Sequence, residues 1–459
     1  MAAARLAFIN TLRRTDDLAP TGAKRKTFKT RWYNKHPRFW FKKARPRPAG
    51  HRERLEVVRL DPEPGVEPSP KPPVRIFLGT EPLQARAERV FVWSVKQHRD
   101  PARAYEIHLM KDLRGFDRSS WTTGFTNYRF AIPTLAGKTG RGIYNDVDQI
   151  YLADPSEMFD LDMKGKGILC IDREDTSVSL LDCEIMSKHW LIEEARTSLK
   201  RKHFLDIIAS RDLWGPLPPE WNARDAEYSA DRSKCFHFTT LRTQPWRPFP
   251  DQLRYEEHPQ GEVWFALERG ADAARFNAFT RERPGSRFAE ALARGGNGAP
   301  SIAGDERRHA AAVGKLIAAT GAKSVLDYSA PPLSGGQRSF AGVAVTARNS
   351  AEAPFARPVE GRFDGVVSID ALSGMPEEDA PWALDELFAA AAGFVYVAVV
   401  ADPARTYGGA EPLPPEWWRL QMELAAKRTP GRLWSLAALD RPGGRAQTYS
   451  GEAPAARAA

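Results

Sequence analysis

The chain has 459 residues, 42% of them hydrophobic, a formal net charge of +9 and three cysteines. That length implies two or three domains rather than one core. Cys170, Cys183 and Cys235 are an odd number at wide spacing, which excludes a disulfide framework or a zinc pattern and fits a reducing cytoplasm. The start, Met1-Ala2-Ala3-Ala4-Arg5, lacks the apolar run of a secretory signal, and the longest apolar stretch, Phe388 to Val400, falls short of the roughly 18 residues a spanning helix needs.

The charge is unevenly spread. Residues 1–60 hold 17 Lys or Arg against 4 Asp or Glu, about +13, which leaves about −4 for the rest. Residues 1–73 therefore read as a basic arm and linker, with Trp32, Tyr33, Phe39, Trp40 and Phe41 among the charges and Pro62 to Pro73 as an extended connector. A strand is predicted over 74–78, ended by Gly79, and a helix over 84–98, where Ala87, Val90, Phe91 and Val95 recur at helical spacing. Further strands are predicted at 105–110, 141–144, 150–152, 167–171 and 177–181. Strands alternating with helices indicate an α/β sandwich with a mostly parallel sheet. Residues 270–303 read as a linker with helical pieces. A second α/β pattern follows: helix 305–320, strands 323–328 and 363–369, helix 380–392 and strand 394–400. The end of the chain, 441–459, reads as a flexible tail.

The most chemically informative stretch is Gly142-Ile143-Tyr144-Asn145-Asp146-Val147-Asp148-Gln149. Two aspartates at i and i+2 after an apolar strand can face one side of a tight turn. Hard cations such as Mg²⁺ or Mn²⁺ take such oxygen ligands and share their shell with phosphate oxygens. An isolated Asp-x-Asp is more often a surface loop or helix cap, so its surroundings decide its meaning.

Four stretches make residues 74–269 resemble family 8 of the glycosyltransferases, which have the GT-A fold. They are Arg75-Ile76-Phe77-Leu78-Gly79-Thr80-Glu81; Arg129-Phe130-Ala131-Ile132-Pro133; Tyr144 to Asp148 with Asp154 and Met158-Phe159; and Phe236-His237-Phe238-Thr239 followed by Gln244-Pro245-Trp246. The resemblance implies a metal bound by Asp146, Asp148 and His237. It implies a nucleotide-sugar donor, of the UDP-sugar kind, held near Gly79, Thr80, Glu81 and Asp146, with Arg129 beside the reacting group. It also implies retaining transfer to a glycan or lipid-linked acceptor. Two departures stand out. The family's diphosphate-binding lysine is replaced by Gln244, with Arg242 and Arg247 as nearby alternatives, and its Asn-x-Gly segment is changed to Ser179-Leu180-Leu181-Asp182-Cys183. Asp182 reads either as a catalytic group that polarises the acceptor or as the cap of a helix starting near Glu184.

Residues 304–440 resemble a class I S-adenosylmethionine-dependent methyltransferase, a Rossmann-like fold. The resemblance rests on Val325-Leu326-Asp327-Tyr328, on 363–372 and on Pro376-Glu377-Glu378-Asp379. The turn after the first strand carries Pro331 and Pro332 where glycines should let the backbone approach a cofactor, and Val343 to Ala347 ends without a carboxylate. A degenerate domain that does not bind S-adenosylmethionine is expected. The basic arm suits an anionic membrane surface better than nucleic acid. A bacterial-type cytoplasmic sugar transferase, peripheral at the inner face of a membrane, is the leading expectation. Its rivals are an active methyltransferase and a scaffold in which both domains have lost activity.

Overall fold

The computed structural model describes residues 52, 54–119, 121, 123–197, 199–248, 254–294, 306–330, 342–349, 351–401 and 413–452. Most of the basic arm and the proline-bearing turn at 331–341 lie outside these. The chain divides into two compact units, with the boundary between residues 271 and 272.

The N-terminal unit is built on a seven-stranded sheet. In chain order its strands are β1 (Glu56–Leu60), β2 (Val74–Gly79), β3 (Tyr105–Met110), β4 (Arg141–Asp146), β6 (Ile168–Cys170), β7 (Val178–Asp182) and β8 (Trp214–Pro216), in spatial order β1-β3-β2-β4-β7-β6-β8. A small second sheet joins β5 (Gln149–Tyr151), β10 (Cys235–His237) and β9 (Ala223–Arg224). The central strand β2 lies parallel to both β3 and β4. It is apolar nearly throughout because both faces are covered, with Ile76, Phe77 and Leu78 fully buried. The helix Ala85–His98 has no internal Gly or Pro and buries Ala87, Val90, Phe91 and Val95.

Three expectations are corrected here. The sheet is mixed rather than mostly parallel, since β1–β3, β4–β7 and β6–β7 are antiparallel pairs. The span 1–73 is not all arm and linker, because β1 falls inside it. Glu56, Val58 and Leu60 are buried while Val57 and Arg59 are exposed, and this alternation pairs β1 with β3 at the sheet edge. Among charges and prolines, so short an alternation carries little signal. The tail 441–459 likewise contains a strand, Ala446–Glu452.

The C-terminal unit has one six-stranded sheet made of β11 (Ser324–Asp327), β12 (Ala344–Ala347), β13 (Phe363–Ile369), β14 (Ala391–Val400), β15 (Leu433–Leu439) and β16 (Ala446–Glu452). The spatial order is β12-β11-β13-β14-β15-β16; the first five are parallel and β16 closes the edge antiparallel to β15. Val367, Ile369, Phe394, Tyr396 and Ala398 form one core with Val313 of the helix Glu306–Thr320. The alternate residues Val366, Val395, Val397 and Val399 are equally buried on the opposite face, as a parallel sheet covered on both sides requires. The span read as a linker contributes the helix Phe288–Arg294.

Candidate metal centre

Parallel strands β2 and β4 end side by side, with Gly79 opposite Asp146. Ligands of α/β sheets gather at such carboxyl ends. The chain then turns through Val147, whose N–H donates to the Gly79 carbonyl at 3.0 Å, and enters β5 of the small sheet. That sheet returns His237 to the same place: β10 runs antiparallel to β5 with His237 opposite Gln149, and Phe238 N–H donates to the Asp148 carbonyl at 2.9 Å. Asp146, Asp148 and His237 therefore meet, each offering one ligand atom, all within 4.8 Å of one another.

Second contacts orient all three side chains. Asp146 Oδ1 accepts from Arg129 Nη2 at 2.9 Å and from the Tyr144 hydroxyl. Arg129 is buried, lies over the Tyr144 ring with 4.3 Å to its centre, and also donates to Thr176 Oγ1 at 3.1 Å. His237 Nδ1 donates to Asn222 Oδ1 at 2.9 Å, which turns Nε2 toward Asp148 Oδ1, 3.2 Å away. Asn222 is fixed in turn by Ser177 Oγ, to which its amide nitrogen donates at 3.2 Å. Gln244 Nε2 donates to the Phe238 carbonyl at 2.9 Å and lies 3.4 Å from Asp148 Oδ2.

The charges are strongly perturbed. Burial pushes the Asp146 carboxyl up, with Arg129 opposing. Burial acts against charge on His237, but the carboxylates of Asp148, Asp175 and Asp146 outweigh it and raise the imidazole to about 9. Asp175 is held low despite its burial, chiefly by His237 and Ser177.

The residues fit a divalent ion. Asp148 Oδ1 is buried, with His237 Nε2 as its partner in the site. Its 3.2 Å separation from His237 Nε2 matches the roughly 3 Å between adjacent ligands of one ion at about 2.1 Å each. Two carboxylates and one imidazole suit Mn²⁺ or Mg²⁺. The imidazole hydrogen-bonded through its other nitrogen is the usual state of a metal-ligating histidine.

The other predicted residues fall differently. Gly79 lies under Tyr144: a Cβ there would meet the Tyr144 hydroxyl oxygen at 2.5 Å and Phe125 at 2.6 Å, so its glycine serves close packing beside Asp146. Thr80 is buried and donates to Glu88 Oε2 at 3.1 Å, while Glu81 accepts from the Gly124 N–H. Asp182 as a catalytic group is corrected. It pairs with Arg141 at the start of β4, five residues and about 16 Å from Asp146. There it caps the helix Cys183–Met186, accepting from Glu184 N–H at 3.1 Å and Ile185 N–H at 2.9 Å. Arg242 stands 3.5 Å from Glu256 and Arg247 lies over Tyr255, so both already have partners. Sequence reasoning missed Asn222 and Asp175. Neither stands at a diagnostic spacing from the acidic pair, and only the fold brings them to it.

The sequence matches no protein-family model and no curated protein. Solved structures similar to it include WbbM, a bifunctional glycosyltransferase in its apo form, with 13% identity, 44% of this chain and 53% of that one covered, and a TM-score of 0.32. The chain thus spans about half the length of WbbM. LgtC, a galactosyltransferase in complex with donor and acceptor sugar analogues, is 12% identical over 43% of this chain and 96% of its own, with a TM-score of 0.31. The glycosyltransferase GlyE of Streptococcus pneumoniae TIGR4, in its apo form, is 9% identical over 78% of this chain and 100% of its own, with a TM-score of 0.33. At this level of likeness, function has to be read from the site itself.

Proposed function

We propose that the N-terminal unit is a metal-dependent glycosyltransferase with a GT-A fold, similar to family 8, which transfers a sugar from a nucleotide-sugar donor with retention of configuration. The convergence of Asp146, Asp148 and His237 at the ends of parallel strands carries this reading. When bound, a divalent ion there supplies the charge that offsets a departing diphosphate. The chain's own groups do the rest. Asn222 fixes the His237 tautomer, and Arg129 with Tyr144 holds Asp146 in place. Arg129 also keeps a buried positive charge beside the reacting phosphate. A UDP-sugar donor and a glycan or lipid-linked acceptor complete the proposal. Contact of residues 1–60 with an anionic membrane belongs to the same reading; residues 1–51 lie outside the described residues.

We read the C-terminal unit as a methyltransferase-like fold in a structural or partner-binding role. Strand β12 ends at Ala347 and is followed by Arg348, where a ribose-binding carboxylate would stand. Arg348 reaches back to the Ser329 carbonyl at 2.7 Å, putting a cation in place of that acid.

Calorimetry of the full chain with UDP, with and without Mn²⁺, and separately with S-adenosylmethionine tests both parts. Mn²⁺-dependent UDP binding that disappears in Asp148→Ala supports the proposal. Heat from S-adenosylmethionine with none from UDP overturns it.

A further inference from the structure

Arg201 opens the helix Arg201–Ser210. Two contacts hold that end of the helix next to Arg129. Asn127 Nδ2 donates to the Leu199 carbonyl at 3.2 Å, and Phe204 stacks on Phe130 with 4.1 Å between ring centres. Arg201 Nε is buried without a hydrogen-bond partner, and the guanidinium forms no ion pair among the described residues. The neighbouring cations are all engaged: Arg129 by Asp146 and Thr176, Arg224 by Glu227 and Asp175, Arg242 by Glu256. Burial and the charge of Arg129 both act against the Arg201 cation, and Asp175 and Asp146 offset only part of this.

A half-buried guanidinium whose Nε meets neither water nor an acceptor is less favourable than a paired one. Leucine or methionine would fill the same space without that cost. A fork of N–H donors next to an acidic metal site instead matches the oxygens of a phosphate anion that arrives with a ligand. Gln244 does not fill this role, because it is uncharged and its amide already donates to the Phe238 carbonyl.

We propose that Arg201 binds the diphosphate of the nucleotide donor, taking the part that a lysine at position 244 would otherwise play. This rests on the donor reading above. The oppositely charged partner of Arg201 is then the substrate itself, and the free protein carries the unpaired charge until donor binds.

The test is calorimetry of the full-length protein and of Arg201→Gln and Arg201→Lys. The ligands are UDP, GDP and ADP in the presence of Mn²⁺, and the nucleoside matching whichever diphosphate binds. Arg201→Gln should weaken the diphosphate by about 10- to 100-fold and leave the nucleoside unchanged. Arg201→Lys should retain part of the affinity, since it keeps the charge and loses the fork. Thermal unfolding supplies a second readout: Arg201→Gln should melt at or above the temperature of the parent protein, because an unpaired charge has been removed. A lowered melting temperature with unchanged diphosphate affinity would make Arg201 structural and overturn the inference. Equal affinity of parent and Arg201→Gln for the diphosphate overturns it as well, while leaving the donor reading intact. A parent protein that binds none of the three diphosphates overturns the donor reading and this inference with it.

Discussion

Each unit brings parallel strands to an end side by side, at β2 and β4 in one and at β11, β12 and β13 in the other. In the N-terminal unit those ends carry Asp146 and Asp148, and a second sheet delivers His237 to them. In the C-terminal unit the strand ends are tied to their own surroundings. Asp327 accepts from the Ser329 N–H at 3.1 Å, Ser329 Oγ accepts from the Ile369 N–H at 3.1 Å, and Arg348 is bound to backbone carbonyls of Ser329 and Glu352. Among the described residues, the strand ends of one unit gather three possible ligands for an ion, whereas Asp327, Ser329 and Arg348 at those of the other bond to their own chain. A sheet offers a position; side chains with unmet valence make it a site.

The largest expected effect would break the comparison outright. Asp148→Ala should abolish Mn²⁺-dependent UDP binding, while S-adenosylmethionine gives no heat with either protein. Next comes Arg129→Ala, which leaves the Asp146 carboxylate buried beside Asp148 without its cation. A loss of roughly 3 kcal/mol of stability is expected, read by denaturant unfolding; bound Mn²⁺ should restore part of it, because the ion replaces the missing charge. A loss unaffected by Mn²⁺ would separate Arg129 from the metal site. Asn222→Ala frees the His237 ring and should weaken Mn²⁺ binding by about 10- to 100-fold with little change in fold, measured by competition with a metal-binding dye.

The smallest effect concerns acid stability. Asp225 is held down to about 2: burial opposes this, but His258, Thr239 and Thr240 hydrogen-bond the carboxylate and win. Because the folded value lies below that of the unfolded chain, the stabilisation is present at neutral pH and is lost as pH falls from about 4 toward 2. About 2 kcal/mol is at stake. Asp225→Asn should therefore flatten the acid limb of the melting temperature between pH 4 and 2, and an unchanged slope would remove Asp225 from the account.

The sequence stated much of this in advance. The burial of β2 follows from its apolar run, and the helix Ala85–His98 from its spacing. The resemblance to family 8 glycosyltransferases implies residues 146, 148 and 237 as one set, and the structure brings them together. What local pattern could not show is where a carboxylate points. Asp182 and Asp146 both stand at strand ends, yet β4 and β7 run antiparallel, so one lies at each end of the pair. Thr80 and Gly79 follow a parallel strand as a ligand site would, but their environment is made by Glu88, Tyr144 and Phe125, residues distant enough in sequence to leave no mark on it.

By itself, then, the sequence determined which segments must be buried, and placed two acids after one strand, because these depend on periodicity and neighbours along the chain. Only the tertiary structure decided which charges are paired. It gave Arg129 to Asp146, His237 to Asn222 and Asp148, and Asp182 to a helix cap, while leaving Arg201 Nε without a hydrogen-bond partner among the described residues. Pairing depends on distance and burial across strands and helices far apart in sequence, and folding alone sets those.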